Sequence, residues 1–376
     1  MALNTLPNEG LTNRGYPSDR IVTPIIINGD MSVCQRTTST SSVSSGSTFP
    51  VDRYKFMPNA LGTFTISQST TVPTGQGFSN SIKVDCTTAN ASPGDGSTLQ
   101  LVQYLEGQNL QLLKKGTSSA EAVTISFWVR SNKTGTYTLE LYDNDNTRQI
   151  SQTYTISSAD TWEKKIVNFA GDTSGALGND NGLSFAVQFW LATGANYNNE
   201  SLQTSWNTVT QAKRVSSSQV NLADSTSNEW YITGLQLEVG EFDSTSIPSF
   251  PFESFENNLR KCQRYYYKHM SGNGKNICSG NYYDSGTFYG SVFFPVPMRA
   301  SPSLEMVSGT DYYRLATANS SNNGLLDDFN VGFIAYAGDG ISIGLGVNSG
   351  LSGVGGYGAT MSGNNSSAEL AFGSEL

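Results

Sequence analysis

The stretch ITGLQLEVGEFDSTSIPSFPFESFENNLRKCQRYYYK, residues 232–268, decides how the chain is divided. Ile232 to Val239 has the composition of a strand. Pro248 and Pro251 end its ladder, because neither ring nitrogen can donate a hydrogen bond. Ser254 then stands where a helix cap belongs, and Phe255, Leu259, Cys262 and Tyr266 follow at the spacing of one helical face. Glu253 and Glu256 at the start, and Arg260, Lys261, Arg264 and Lys268 towards the end, suit the helix dipole, with Gly272 and Gly274 as the stop. The stretch reads as the last strand of one β domain, an exit, and a helix leading to a second domain.

On its N-terminal side the pattern is β throughout. Ile25-Ile26-Ile27 is expected to open the first strand, turned by Asn28-Gly29-Asp30. Strands are predicted in TFTISQ (63–68), SIKVD (81–85), LQLVQYL (99–105), VTISFWV (123–129), YTLELY (137–142), ISQTYTI (150–156), WEKKIVNF (162–169), LSFAVQFWL (183–191) and WYITGLQLEV (230–239). Short strands separated by Gly, Asn and Asp turns predict an all-β fold class. Residues 25–241 are expected to form a large antiparallel jelly-roll sandwich, 242–272 the linker and short α-helix, and 273–376 a second, smaller β-sandwich. Residues 1–24, rich in Pro and Gly, read as an extended arm, either a docking peptide or a disordered one.

Composition narrows the function. A net charge of −9, with Lys and Arg sparse and scattered, argues against a nucleic-acid partner. No charged and apolar leader opens the chain and no apolar run approaches membrane-spanning length, so neither a cleavable signal nor membrane insertion is expected. Cys34, Cys86, Cys262 and Cys278 lie far apart without a CxxC pair, which predicts free packed thiols made in a reducing cytoplasm.

Motifs for catalysis are weak, and no enzyme is expected. The lone histidine, His269, falls at the predicted helix end, two turns from Cys262. Gly353–Gly358 matches a dinucleotide glycine pattern but has no helix after it, so it reads as a glycine loop. Asp143-Asn144-Asp145-Asn146 resembles a calcium loop, yet Arg148 stands where that loop needs glycine, and a hairpin turn explains it. Asp30 and Glu238, at the ends of the first and last strands, are candidates for a structural calcium. Tyr and Trp rings offer platforms for sugars. Of these, Tyr197 and Trp206 lie in a long Asn/Ser-rich loop, and Tyr282, Tyr283, Tyr312 and Tyr313 are expected on an exposed tip of the second domain, whereas Trp190 is expected in the core.

Seven segments together resemble a family of bacteriophage tail-fibre and related virion proteins, especially of marine and cyanobacterial phages. They are INGDMSVCQR (27–36), DRYKF (52–56), SFWVRS (126–131), WEKK (162–165), GDTSG (171–175), ITGLQLEVGE (232–241) and LRKCQRYYYK (259–268), with FFPVPMRASPSL (293–304) as a sequel. Thr37 and Tyr54 depart from the Gly and Trp common in the family, and FDSTSIPSFP lengthens its usual step to the helix. The resemblance implies a carbohydrate-binding-module-like jelly roll in a homotrimeric tail fibre of the virion. It further implies attachment to other virion proteins, here through the arm, recognition of a host-surface glycan, and no catalytic residues. A head fibre or capsid decoration protein, and a fibre-borne polysaccharide depolymerase, are the alternatives. Leu259, Cys262 and Tyr266 either pack around a trimer axis or pack on their own jelly roll.

Overall fold

A computed structural model describes residues 24–317, 324–329, 342–347, 351 and 353–376, so the expected arm lies almost wholly outside the described residues. The chain is nearly all β and antiparallel. β1 Ser39–Val43, β4 Thr63–Ser69, β5 Ser81–Thr88, β7 Val123–Ser131, β10 Glu163–Phe169 and β13 Glu229–Val239 make a six-stranded sheet. Its order is β1-β4-β5-β13-β7-β10. β2 Thr48–Val51, β3 Tyr54–Asn59, β6 Thr98–Glu106, β8 Gly135–Asp143, β9 Arg148–Ile156, β11 Leu183–Thr193 and β12 Asn207–Thr208 make a seven-stranded sheet. Its order is β12-β9-β8-β11-β6-β3-β2. The chain alternates between the two sheets, as a jelly roll does. Inward-facing residues of both, among them Phe56, Phe64, Phe127, Phe189 and Trp230, bury one continuous core.

The C-terminal part has its own core, built around Tyr282, Phe288, Tyr313, Met361 and Phe372. β14 Tyr266–Ser271, β17 Ser303–Val307 and β22 Glu369–Gly373 form a three-stranded sheet with β22 central. β15 Asn276–Tyr282, β16 Phe288–Phe293, β18 Tyr313–Thr317, β19 Gly324–Leu326, β20 Ser342–Val347 and β21 Gly358–Gly363 form a six-stranded one.

Two expectations about the joint are corrected. The helix α1 is Phe255–Gln263, closed by Arg264, and the residues expected to continue it, Tyr266 to Ser271, are strand β14 paired with β22. Three consecutive tyrosines favour a pleated surface over a helix, and this preference overrides the helical spacing of Tyr266. His269 is thus a strand residue, its Nε2 donating to the Ile277 carbonyl at 2.6 Å and its Nδ1 meeting the Tyr267 hydroxyl at 3.1 Å.

Ile25-Ile26-Ile27 is not a strand. The Gln103 side chain stands in for a neighbouring strand, accepting from the Ile27 amide at 3.0 Å and donating to its carbonyl at 2.9 Å. Buried Asn28 donates to the carbonyls of Val33 (2.8 Å) and Asp52 (3.0 Å), and Gly29 lies so close to β13 that a Cβ there would meet the Leu235 carbonyl oxygen at 2.2 Å.

Four of the segments quoted above, 27–36, 52–56, 232–241 and 259–268, meet here. Asn258 of α1 accepts from the Asn28 amide at 3.1 Å and donates to Asp30 and Ser32, both at 3.0 Å. Gln35 donates to the Tyr266 carbonyl at 2.7 Å, and the Arg36 guanidinium lies 3.6 Å from the Tyr266 ring centroid. The Arg53 guanidinium lies 3.3 Å from the Tyr265 ring centroid, and Arg264 clamps Glu106 with two bonds of 2.8 Å. α1 therefore packs on its own jelly roll. Cys262 and Tyr266 are buried within the chain, while Leu259 is half-buried.

Candidate functional site

Strand alternation sorts the seven-stranded sheet into a core face and an outer face. Three cross-strand rows build the outer face. The first is Tyr104, Ala186 and Tyr142, the second Lys55, Val102, Gln188, Glu140 and Ser151, and the third Met57, Gln100, Trp190, Thr138 and Thr153. Val102, Ala186, Gln100 and Gln188 form a buried floor, and Lys55, Met57, Tyr104 and Tyr142 stand half-buried around it.

The loop after β11 closes one end of this face. Its Arg214 binds Glu140 through Nε (2.8 Å to Oε1) and Nη2 (2.9 Å to Oε2), and Trp190 Nε1 donates to the same carboxylate at 2.8 Å. The guanidinium lies 5.2 Å from the centroids of both Tyr142 and Trp190, and the Tyr197 ring lies 5.4 Å from that of Trp190. Burial would lower the Arg214 pKa, but the Glu140 charge and hydrogen bonds outweigh it and raise it. Burial likewise raises the Tyr104 phenol, while the Arg214 charge pulls it back. Gln100 Nε2 donates to Gln188 Oε1 at 3.1 Å.

The joint closes the other end. Glu106, on the outer face beyond Tyr104, is fully buried by Arg264 and Tyr265, and both donate to its carboxylate. Burial pushes the Glu106 carboxyl up, but the hydrogen bonds from Arg264 and Tyr265 and the Arg264 charge hold it below the usual carboxylate range. A separate groove of about 570 Å³ lies beside the joint, lined by residues of both domains including Arg36, Phe49, Arg299 and Glu305.

The other expected site residues are scattered. Trp190 is fully buried as expected, but on the outer face under the loop rather than between the sheets. Trp206 packs against the core rim, its Nε1 donating to the Ala170 carbonyl at 2.7 Å. Tyr282 and Tyr313 are fully buried core residues, whereas Tyr283 is 72% exposed and Tyr312 half-buried. Adjacent residues in extended chain point to opposite faces, so a Tyr-Tyr pair presents one ring outward. Tyr283 lies 5.8 Å from Tyr289, ring to ring.

Asp30 and Glu238 do meet at one small cavity of about 20 Å³. Asp30 Oδ1 already accepts from Ser32 and Asn258, and among the described residues no group of three or more His, Cys, Asp or Glu is arranged to hold a metal ion. The Asp143–Asn146 segment is the β8–β9 hairpin turn, with Asp143 Oδ1 accepting from the Asn146 amide at 3.0 Å. All four cysteines are free. Among the described residues no helix is long and apolar enough to cross a membrane.

No family model matches the chain, and no curated protein matches it in sequence. Among solved structures, it is similar to the enzymatically active domain of a tailspike protein of bacteriophage CBA120 (15% identity, TM-score 0.30), covering 53% of this chain and 21% of that one. The chain thus spans about a fifth of that tailspike chain. It is also similar to a family 4 carbohydrate-binding module (11% identity, TM-score 0.28, 56% and 97% covered). A third is a family 11 module from Clostridium thermocellum in complex with a mixed-linked tetrasaccharide (11% identity, TM-score 0.27, 56% and 99% covered). Each likeness covers little more than half of this chain.

Proposed function

We propose that this chain is a non-catalytic glycan-binding protein of a bacteriophage particle, with the outer face of the seven-stranded sheet as its glycan platform. The carrying observation is the row Tyr104–Ala186–Tyr142, two half-buried tyrosines flanking a small residue on the outer face. A small residue between two rings leaves room for a flat sugar face, and Tyr hydroxyls add polar tips. Gln100 Oε1 and Gln188 Nε2, not used in the bond between these two amides, supply an acceptor and a donor for hydroxyl groups. Both carboxylates on this face are engaged, Glu140 by Arg214 and Trp190 and Glu106 by Arg264 and Tyr265, which makes them anchors for the loop and the joint rather than acids for glycoside cleavage. A place in the virion, as a homotrimeric tail fibre or alternatively a head fibre, rests on the resemblance of the joint segments to phage fibre proteins. If three copies assemble, they do so through surfaces other than Cys262 and Tyr266.

Tyr104→Ala and Tyr142→Ala are each expected to weaken glycan retention in affinity electrophoresis roughly tenfold without changing the melting temperature by more than a few degrees. Undiminished retention in both would refute the platform. Cryo-electron microscopy of the particle, with antibody labelling of this chain, tests the virion assignment.

A further inference from the structure

We infer that the platform selects acidic glycans and that Lys55 reads their anionic group, an inference that rests on the glycan reading above. Lys55 stands on the outer face of β3 opposite Val102, its ammonium 5.1 Å from the centroid of the Tyr104 ring. Among the described residues Lys55 makes no ion pair, whereas the neighbouring carboxylate, Glu140, is bound bidentate by Arg214 and also accepts from Trp190. At the joint end Glu106 is likewise closed by Arg264, Tyr265 and Gln108. The face between loop and joint thus carries one uncompensated positive charge, on a chain whose net charge is −9. A general attraction for anions cannot come from the molecule as a whole, and it is local to this ammonium.

Geometry makes the charge specific. The ammonium stands beside the Tyr104 ring, 5.1 Å from its centroid, so a carboxylate or sulfate on a pyranose packed against that ring reaches a charge-assisted hydrogen bond. The Gln188 and Gln100 amides stand on the next two rows, in the path of a polymer that continues from that ring along the face. The ligand class is a uronate-bearing or sulfated polysaccharide.

The test is an array of polygalacturonate, alginate, sulfated galactan and their uncharged counterparts, probed with the full chain at low and raised salt. Acidic polymers are expected to be bound preferentially, and salt to weaken that binding. Lys55→Met should lose about tenfold of the affinity together with the salt dependence, while Lys55→Arg keeps both. Thermal melting confirms that the variants fold. Equal binding of neutral polymers, unaffected by Lys55→Met but abolished by Tyr104→Ala, overturns the acidic preference and leaves the glycan platform standing. Binding of no polymer, or binding indifferent to Tyr104 and Tyr142, overturns both.

Discussion

At the residue scale the jelly roll holds an internal cation. Lys115 Nζ meets Asp143, Asp172 at 2.9 Å, and the carbonyls of Ser174 (3.0 Å) and Gly175 (2.8 Å), with Arg148 bound to Asp172 from outside. Both carboxylates are buried, so removing the ammonium leaves charge without compensation. Lys115→Met is expected to lower stability by about 3–5 kcal/mol in urea unfolding, and a loss below about 1 kcal/mol would show that Arg148 alone neutralises the pair. Asp52 behaves in the opposite sense. Burial raises its carboxyl from 3.8 to about 6, against the pull of hydrogen bonds from Gln35 and the charge of Arg36. The folded chain therefore holds this proton more tightly than the unfolded one. The resulting stabilisation is complete below about pH 4 and is lost as pH rises through 6. Asp52→Asn keeps an acceptor for the Gln35 amide and removes the titration. Its melting temperature relative to the wild type should rise between pH 4 and 6 and then level off, a gain of at most about 3 kcal/mol. A difference independent of pH would mean that Asp52 titrates normally.

At the element scale α1 is held by polar contacts more than by its apolar face. Phe255 is exposed, while Asn258 is buried and tied to Asn28, Asp30 and Ser32. Asn258→Leu removes the acceptor from the buried Asn28 amide and is expected to cost about 2–3 kcal/mol, read as a shift of the urea midpoint. An unchanged midpoint would mean that water replaces the amide. The sequence shows why this element was only partly legible. The Ser254 cap and the Pro-containing exit are local signals, and both lie where local reasoning puts them. Tyr266 satisfies a helical spacing and a strand period equally, and only the β22 partner, far along the chain, decides between them. The platform was legible in part from parity: Glu140 and Tyr142 of YTLELY and Gln188 and Trp190 of LSFAVQFWL fall at alternate positions, whereas in LQLVQYL Val102 and Gln103 break the alternation. Choosing those that share a surface requires the sheet order, which no single strand contains. Ile25 to Ile27 misleads because its hydrogen bonds come from a side chain, Gln103, with no strand beside it.

At the scale of the whole molecule two separate cores meet through a polar joint. Glu106 binds Arg264 and Tyr265, Arg53 lies on Tyr265 and pairs with Glu375, and Arg299 donates to the carbonyls of Asn181 and Ser374. A joint made of fixed-geometry hydrogen bonds sets orientation more strictly than an apolar contact, and it also fails cooperatively when one member is lost. Since this joint forms one wall of the platform, it ties the pose of the C-terminal domain to access for a glycan. Glu106→Ala leaves Arg264 and the Tyr265 hydroxyl without their shared acceptor, at a cost of about 3–5 kcal/mol concentrated on the joint. The wild type is expected to melt in a single calorimetric transition. The variant is expected to melt in two, with small-angle scattering showing a larger radius of gyration, while each domain keeps its strand content by circular dichroism. Glu106→Gln, which retains an acceptor for Tyr265, should fall between them. A single transition at an unchanged temperature in Glu106→Ala would show instead that the other contacts across the joint suffice, and that the domains are coupled by Arg53, Glu375 and Arg299.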